Sequence, residues 1–113
     1  MREASYWTKE SGEEGVVTCL LCPQHCRIRP GHVGVCRARK NVDGRLYSLI
    51  YGEVTSFGLD PIEKKPLYHF YPGWAILSVG TRGCNLACGF CQNWQLVRGD
   101  PEAAKYLTPA EAV

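Results

Sequence analysis

The chain has 113 residues, of which 21% are charged, and a formal net charge of +2 at pH 7. This length suits one small domain with its own core, and the nearly balanced charge argues against a dedicated nucleic-acid binder. No apolar run reaches the length that crosses a membrane, and Met1 to Trp7 lack the basic-then-apolar pattern of a signal peptide. We therefore expect a cytoplasmic protein with no membrane partner, whose seven cysteines are kept reduced.

The first two thirds of the chain predict a lead-in and then a β-rich domain. The polar run Glu10 to Gly15 is typical of a flexible segment, which we place at residues 1–15. Asp43-Gly44 predicts a tight turn, because both residues tolerate positive φ. Strands are predicted over 45–51 and 53–59, with Gly52 as a bend between them, and residues 62–73 as an aromatic ordered loop. Residues 16–73 are thus expected to form a β-rich domain.

The last third predicts a strand, a loop and the start of a helix. Ala75 to Val79 form a short apolar run, typical of a strand buried on both faces of a parallel sheet. Thr108-Pro109-Ala110-Glu111 predicts a capping box, and since only two residues follow, we expect the sequence to be cut at a helix start. Residues 74–113 are therefore predicted to be the first βα unit of a truncated barrel. The predicted fold class is α/β, with a small four-cysteine β-rich domain before this unit.

Three cysteines follow the predicted strand in a C-x3-C-x2-C run: Cys84, Cys88 and Cys91. Three thiolates within eight residues cannot form a pairwise disulfide framework. They can hold three irons of a [4Fe–4S] cluster and leave the fourth iron open for chemistry. The alternative is a zinc knuckle that borrows a distant fourth ligand.

Four further cysteines lie within eighteen residues: Cys19, Cys22, Cys26 and Cys36. Four thiolates suit structural zinc or a second, fully ligated iron–sulfur cluster. His25 or His32 can replace one cysteine at zinc, and buried cysteines without a metal are the remaining alternative. The basic residues around this set are either nucleic-acid contacts or a solvated rim that offsets the thiolate charge, and the low net charge favours a rim. These residues are Arg27, Arg29, Arg37, Arg39 and Lys40.

The three-cysteine spacing, with the aromatic Phe90 before the third cysteine, resembles that of the radical S-adenosylmethionine (SAM) enzymes. Within that superfamily the chain is similar to the pyruvate formate-lyase-activating-enzyme-like proteins of the AmmeMemoRadiSam system. The likeness covers about residues 17–113. It rests on Cys22-Pro23 with His25-Cys26, on residues 47–56 and 60–73, and on Cys91-Gln92-Asn93-Trp94.

The resemblance implies that Cys84, Cys88 and Cys91 hold a [4Fe–4S] cluster, whose open iron binds SAM through its amino and carboxylate groups. An electron then cleaves SAM to methionine and a 5′-deoxyadenosyl radical, which abstracts hydrogen from a substrate. We predict cofactor contacts from Phe90 and Asn93 and assign no catalytic residue. The expected partners are SAM, an electron donor such as flavodoxin or ferredoxin, and, by analogy with activating enzymes, a protein whose glycyl residue is the substrate. No nucleic-acid partner is expected.

Family members of this kind are much longer than 113 residues. We therefore expect the intact protein to be the enzyme and the 113-residue chain alone to be inactive. The competing hypothesis is a zinc-binding module that contacts nucleic acid or protein, with a merely structural three-cysteine loop. Iron and sulfide content separates the two hypotheses.

Overall fold

A computed structural model describes residues 1–99 and 104–113. These residues form short strands, a 3₁₀ turn at Ile62–Lys64 and one α-helix, α1, at Trp94–Val97. The strands are β1 (Arg2–Glu3), β2 (Trp7–Lys9), β3 (Val17–Cys19), β4 (Arg27–Ile28), β5 (Arg39–Val42), β6 (Arg45–Ser48), β7 (Glu53–Val54), β8 (Ser56–Pro61), β9 (Ala75–Gly80) and β10 (Lys105–Tyr106). Every pairing among these strands is antiparallel.

Two three-stranded sheets occupy the first half of the chain, in the orders β1-β6-β5 and β2-β3-β4. β1 and β2 lie within the predicted lead-in, where they pair with β6 and β3. The predicted Asp43-Gly44 turn is confirmed: it joins β5 to β6, with φ of 50° and 77° at the two residues. Positive φ at both central residues gives a two-residue turn the twist of the strands it connects.

The hydrophobic core lies where these two sheets meet. Val17, Cys19 and Ile28 come from β3 and β4, whereas Leu46 comes from β6. Trp7 packs against this cluster from β2. Because each fully buried aliphatic side chain contributes about 1.5–3 kcal/mol, this small cluster accounts for much of the attraction between the sheets.

Asn41 is a buried polar residue that ties three segments together. Its Nδ2 donates to the carbonyl oxygens of Gly15 and Ile28, both at 2.7 Å. Its Oδ1 accepts the N–H of Gly44 at 2.9 Å. The Asn41 side-chain amide therefore has hydrogen-bond partners for both its nitrogen and its oxygen. No sequence motif predicted this role.

Changing Asn41 to Ala is expected to lower the free energy of unfolding by about 1–3 kcal/mol, because it leaves buried backbone groups without partners. Urea denaturation measures this loss. The exposed Thr8 supplies the control, since Thr8→Ala is expected to change stability by no more than about 0.5 kcal/mol. Equal effects of the two substitutions would contradict the assigned role of Asn41.

The second half of the chain differs from its predicted architecture. β9 pairs with β8 over six residues, from Ser56↔Gly80 to Pro61↔Ala75. The prediction of a parallel strand buried on both faces at 75–79 is wrong, because Ala75, Leu77 and Val79 are exposed and the residues between them are half-buried. Pairing with β8 requires only a local connection, which has a low entropic cost of closure.

The predicted α/β fold class is consequently wrong as well. The described residues form a mostly β structure of small antiparallel sheets and contain no first βα unit of a truncated barrel. α1 has four residues, whereas a crossover between parallel strands takes a dozen or more. The proposed segment boundaries at 15/16 and 73/74 stay predictions, and residues 100–103 of the third segment lie outside the described residues.

The predicted capping box at the C-terminal end is confirmed in its hydrogen bonds. The Thr108 N–H donates to Glu111 Oε2 at 2.7 Å, and the Glu111 N–H donates to Thr108 Oγ1 at 3.3 Å. The Thr108 backbone and hydroxyl hold the pKa of Glu111 below its ordinary value. These residues form a turn.

Candidate metal centres

The three-cysteine loop is tied at its stem. Arg82, two residues before Cys84, donates through Nε to Oε1 of the buried Glu53 at 2.5 Å. The N–H of Gly83 donates to the carbonyl oxygen of Val97 at 2.9 Å, which brings the start of the loop to the end of α1. The loop is therefore held between β7 and α1.

Cys84, Cys88 and Cys91 all line one cavity of about 520 Å³. Asn93 and Arg98 line it too, so a residue with an amide and a residue with a positive charge border the same space as the cysteines. The N–H of Leu86 donates to Cys84 Sγ at 3.4 Å. Hydrogen bonds and positive charge near sulfur are two of the means by which a protein stabilises bound iron–sulfur groups.

The donor set fits an iron–sulfur cluster in ligand type, and its three members line one cavity. Three thiols in a C-x3-C-x2-C run open into a shared cavity, and thiolates are the ligands that such clusters take. In residues 1–99 and 104–113, no three His, Cys, Asp or Glu side chains already converge as metal ligands. Metal binding at such a site is coupled to the ordering of the loop that carries its ligands.

The two predicted cofactor contacts are placed differently. Asn93 is the N-cap residue of α1 and lines the cavity. The Phe90 side chain is 90% exposed and is not among the residues that line this cavity. Both assignments stay predictions, and the geometry favours Asn93.

The four-cysteine set lies around the β3–β4 hairpin and the loop that follows it. The Cys19 N–H donates to the Cys26 carbonyl oxygen at 2.9 Å, across the hairpin. A Cβ placed on Gly34 would lie 3.7 Å from Cys26 Sγ, so the loop that carries Cys36 passes close to that sulfur. Cys19 is buried, whereas Cys22, Cys26 and Cys36 are half-buried. The structure thus brings the segments of Cys19, Cys26 and Cys36 close together, and Cys22 lies in the connection between β3 and β4.

Two basic side chains beside this set have partners within the molecule. Arg39 Nη1 donates to the Ser5 carbonyl oxygen at 2.8 Å and lies 3.5 Å from Cys19 Sγ. Arg27 pairs with Glu13 at 2.7 Å. The Glu13 carboxylate raises the pKa of Arg27 above its ordinary value, through the hydrogen bond first and the opposite charge second. The guanidinium of Arg39 offers positive charge to a cysteine sulfur, as expected for a rim that offsets thiolates.

Sequence reasoning missed the contacts that join the two cysteine segments. Gln24 Nε2 donates to the Asn85 carbonyl oxygen at 3.1 Å, and Gly83 lies against Cys36. The residues of each contact are distant in sequence, and no local pattern predicts the contact between Gln24 and Asn85. The glycine directly before Cys84 was the available signal for the second, since a glycine often marks close backbone approach.

Comparison with known proteins identifies a longer relative. Over its full length, in an alignment of 115 residues, the chain is 44% identical to MJ0808, an uncharacterized protein of Methanocaldococcus jannaschii. The chain spans 34% of the length of that protein. No family model matches the chain, and no solved structure matches it. The relative's name assigns no activity, so the chemistry has to be argued from the residues.

Membrane-spanning helices are absent from the part of the chain that the structure describes. No helix within residues 1–99 and 104–113 is both long enough and apolar enough to cross a membrane.

Proposed function

We propose that this chain supplies the iron–sulfur part of a cytoplasmic radical SAM enzyme. The observation that carries the proposal is the single cavity lined by Cys84, Cys88 and Cys91. Their spacing resembles the signature of that superfamily, and their shared cavity gives a cluster and a small cosubstrate a place to bind. When bound, the [4Fe–4S] group supplies one electron that breaks a C–S bond of SAM, giving methionine and a 5′-deoxyadenosyl radical.

The chain's own residues would hold and orient these groups. The three thiolates bind three irons, and the Leu86 N–H stabilises negative charge on Cys84 Sγ. Asn93 lines the cavity, and its amide suits a hydrogen bond to a cluster sulfide or to SAM. A guanidinium is the best side chain for binding a carboxylate, so Arg98 in the same lining suits the carboxylate of SAM.

The resemblance to the activating enzymes suggests the remaining partners. The electron comes from a small donor such as flavodoxin or ferredoxin, and the radical takes hydrogen from a substrate, for which a glycyl residue of a partner protein is the candidate. Four thiolates at Cys19, Cys22, Cys26 and Cys36 hold zinc or a second iron–sulfur cluster. The internal contacts of Arg27 and Arg39 support a structural role for that site rather than nucleic-acid binding.

Anaerobic reconstitution with iron and sulfide tests the cluster. We expect the visible thiolate-to-iron charge-transfer absorption, together with about four iron and four sulfide in a [4Fe–4S] cluster. The triple variant Cys84→Ala, Cys88→Ala, Cys91→Ala should lose this cluster. Equal sulfide-containing iron in the wild-type chain and the triple variant would refute the assignment.

Cleavage of SAM tests the enzyme. The chain and its longer relative, both reconstituted and reduced, are incubated with SAM, and 5′-deoxyadenosine is quantified. We expect turnover by the relative and none by the 113-residue chain, because positioning of the reacting bond needs walls that a single loop does not supply. Cluster formation in the relative without any 5′-deoxyadenosine would reject radical SAM chemistry.

A zinc-binding module that contacts nucleic acid or protein is the competing function. It predicts zinc at both cysteine sets and no acid-labile sulfide, which the same metal and sulfide measurements detect.

A further inference from the structure

The turns that carry the two cysteine sets touch each other. Gln24 lies inside the Cys22–Cys26 turn, and Asn85 lies inside the Cys84–Cys88 turn. The Gln24 amide donates to the Asn85 carbonyl oxygen at 3.1 Å. A side chain of the first cysteine turn therefore contacts the backbone of the second in an exposed hydrogen bond.

A second contact lies at the residue directly before Cys84. A Cβ on Gly83 would lie 2.8 Å from the Cys36 carbonyl oxygen and 3.1 Å from Ala38 Cβ. Gly83 also has a φ of +91°, a conformation that side chains disfavour. Only glycine permits this approach, which sets the residue before Cys84 directly against the last cysteine of the other set.

We propose that these two contacts couple the two metal sites, so that a metal held by the four-cysteine set raises the affinity of the three-cysteine loop for its cluster. The inference rests on the proposed function for the nature of that cluster. Gln24 and Gly83 are positioning residues in this scheme: each acts through a neighbouring cysteine turn.

The physical reason is the cost of ordering the loops. A metal site is rarely preformed in a chain without its metal, so each metal has to fix the loop that carries its ligands. Once the first turn is held by metal, its contacts already restrain Gly83 and Asn85. The entropic cost of ordering the second loop, which lowers the net binding free energy of the second metal, is therefore smaller. By linkage, the cluster raises the affinity of the four-cysteine set by the same factor.

Zinc affinity of the four-cysteine set is the measurement, made by competition with a chelator and in the absence of SAM. It is compared between the cluster-loaded chain and the variant in which Cys84, Cys88 and Cys91 are all Ala. We expect binding about 5- to 150-fold tighter in the cluster-loaded chain, the usual range of coupling between sites.

Two substitutions, each of which disrupts one of the two contacts, should lower this ratio clearly while both sites still bind metal. Gln24→Glu keeps the shape of the side chain but removes the amide donor. Gly83→Ala places a methyl group against Cys36 and Ala38. Gly12→Ala is the matched control, because Gly12 has a φ of +93° but nothing within 4 Å of an added Cβ. This substitution imposes a similar backbone strain without touching either cysteine set. The ratio of zinc affinities should therefore stay as in the wild type.

Each result decides the matter. Equal zinc affinity with and without the cluster overturns the coupling, as does a four-cysteine set that takes neither zinc nor iron. The same loss of coupling in Gly12→Ala as in Gly83→Ala would assign the effect to general destabilisation, and if Gly83→Ala does not fold, Gln24→Glu alone decides. Failure to form the cluster contradicts both proposals, whereas coupling without SAM cleavage by the longer relative contradicts only the proposed function.

Discussion

Changing Arg82 to Ala is expected to lower the free energy of unfolding by about 3–5 kcal/mol, the usual cost of removing one partner from a buried ion pair. The Glu53 side chain is fully buried, and that of Arg82 is 18% exposed. Among the described residues Glu53 Oε2 has no hydrogen-bond partner. The guanidinium is therefore the main compensation for a carboxylate that has lost its water, and its removal leaves that charge unpaired.

Urea denaturation of the Arg82→Ala protein measures this cost. Arg45→Ala is the matched control, since the Arg45–Glu3 pair spans 3.3 Å and both side chains are largely exposed; such pairs contribute about 0–1 kcal/mol. Adding Glu53→Gln to Arg82→Ala should restore part of the loss, because a neutral amide is easier to bury than a carboxylate. Comparable effects of Arg82→Ala and Arg45→Ala would show that Glu53 does not depend on its partner.

Changing Leu46 to Ala is the second large effect, with an expected loss of about 2–5 kcal/mol. Leu46 is completely buried, in the cluster that also contains Val17 and Ile28. Truncation removes apolar contact and leaves a cavity between two small sheets, which together have few other buried side chains among the described residues. A loss of this size is a large part of the total stability of a small domain.

The fluorescence of Trp7, which packs against the same cluster, makes this unfolding observable during denaturation. Leu59→Ala is the control, because Leu59 is 73% exposed in β8 and its truncation should cost no more than about 0.5 kcal/mol. If Leu59→Ala proved as costly as Leu46→Ala, the core would have to lie elsewhere.

Local chemistry made parts of the structure predictable. The Asp43-Gly44 turn and the Thr108–Glu111 capping box each depend on residues that are close in sequence. The turn has the expected positive φ angles, and the capping box has the expected hydrogen bonds. The three-cysteine run is equally local, and its members share one cavity. In each case the residues that make the contact are separated by only a few positions, so their spacing fixes what they can do.

Pairing between residues that are distant in sequence could not be predicted. An apolar run such as 75–79 has the same composition in a buried parallel strand and in an exposed antiparallel ribbon, and only the partner, β8, distinguishes them. Asn41 and the Glu53–Arg82 pair depend on groups that are distant along the chain. The metal sites combine both cases. Their ligand types can be predicted from the sequence, but the contacts between the two cysteine turns cannot.

The pairing of β1 with β6 also constrains when the first sheet can fold during synthesis. Arg2 pairs with Ser48, so the first strand has no partner until nearly half of the chain has been made. Domains generally fold as units during synthesis at about 5–20 residues per second. All strands of the two sheets that frame Cys19 and Cys36 precede Cys84 in the chain, and at this rate Ser48 is added some seconds before Cys84. The ribosome therefore presents the four-cysteine set to the metal pool of the cell first, and the three-cysteine loop meets a neighbour that has already had time to fold.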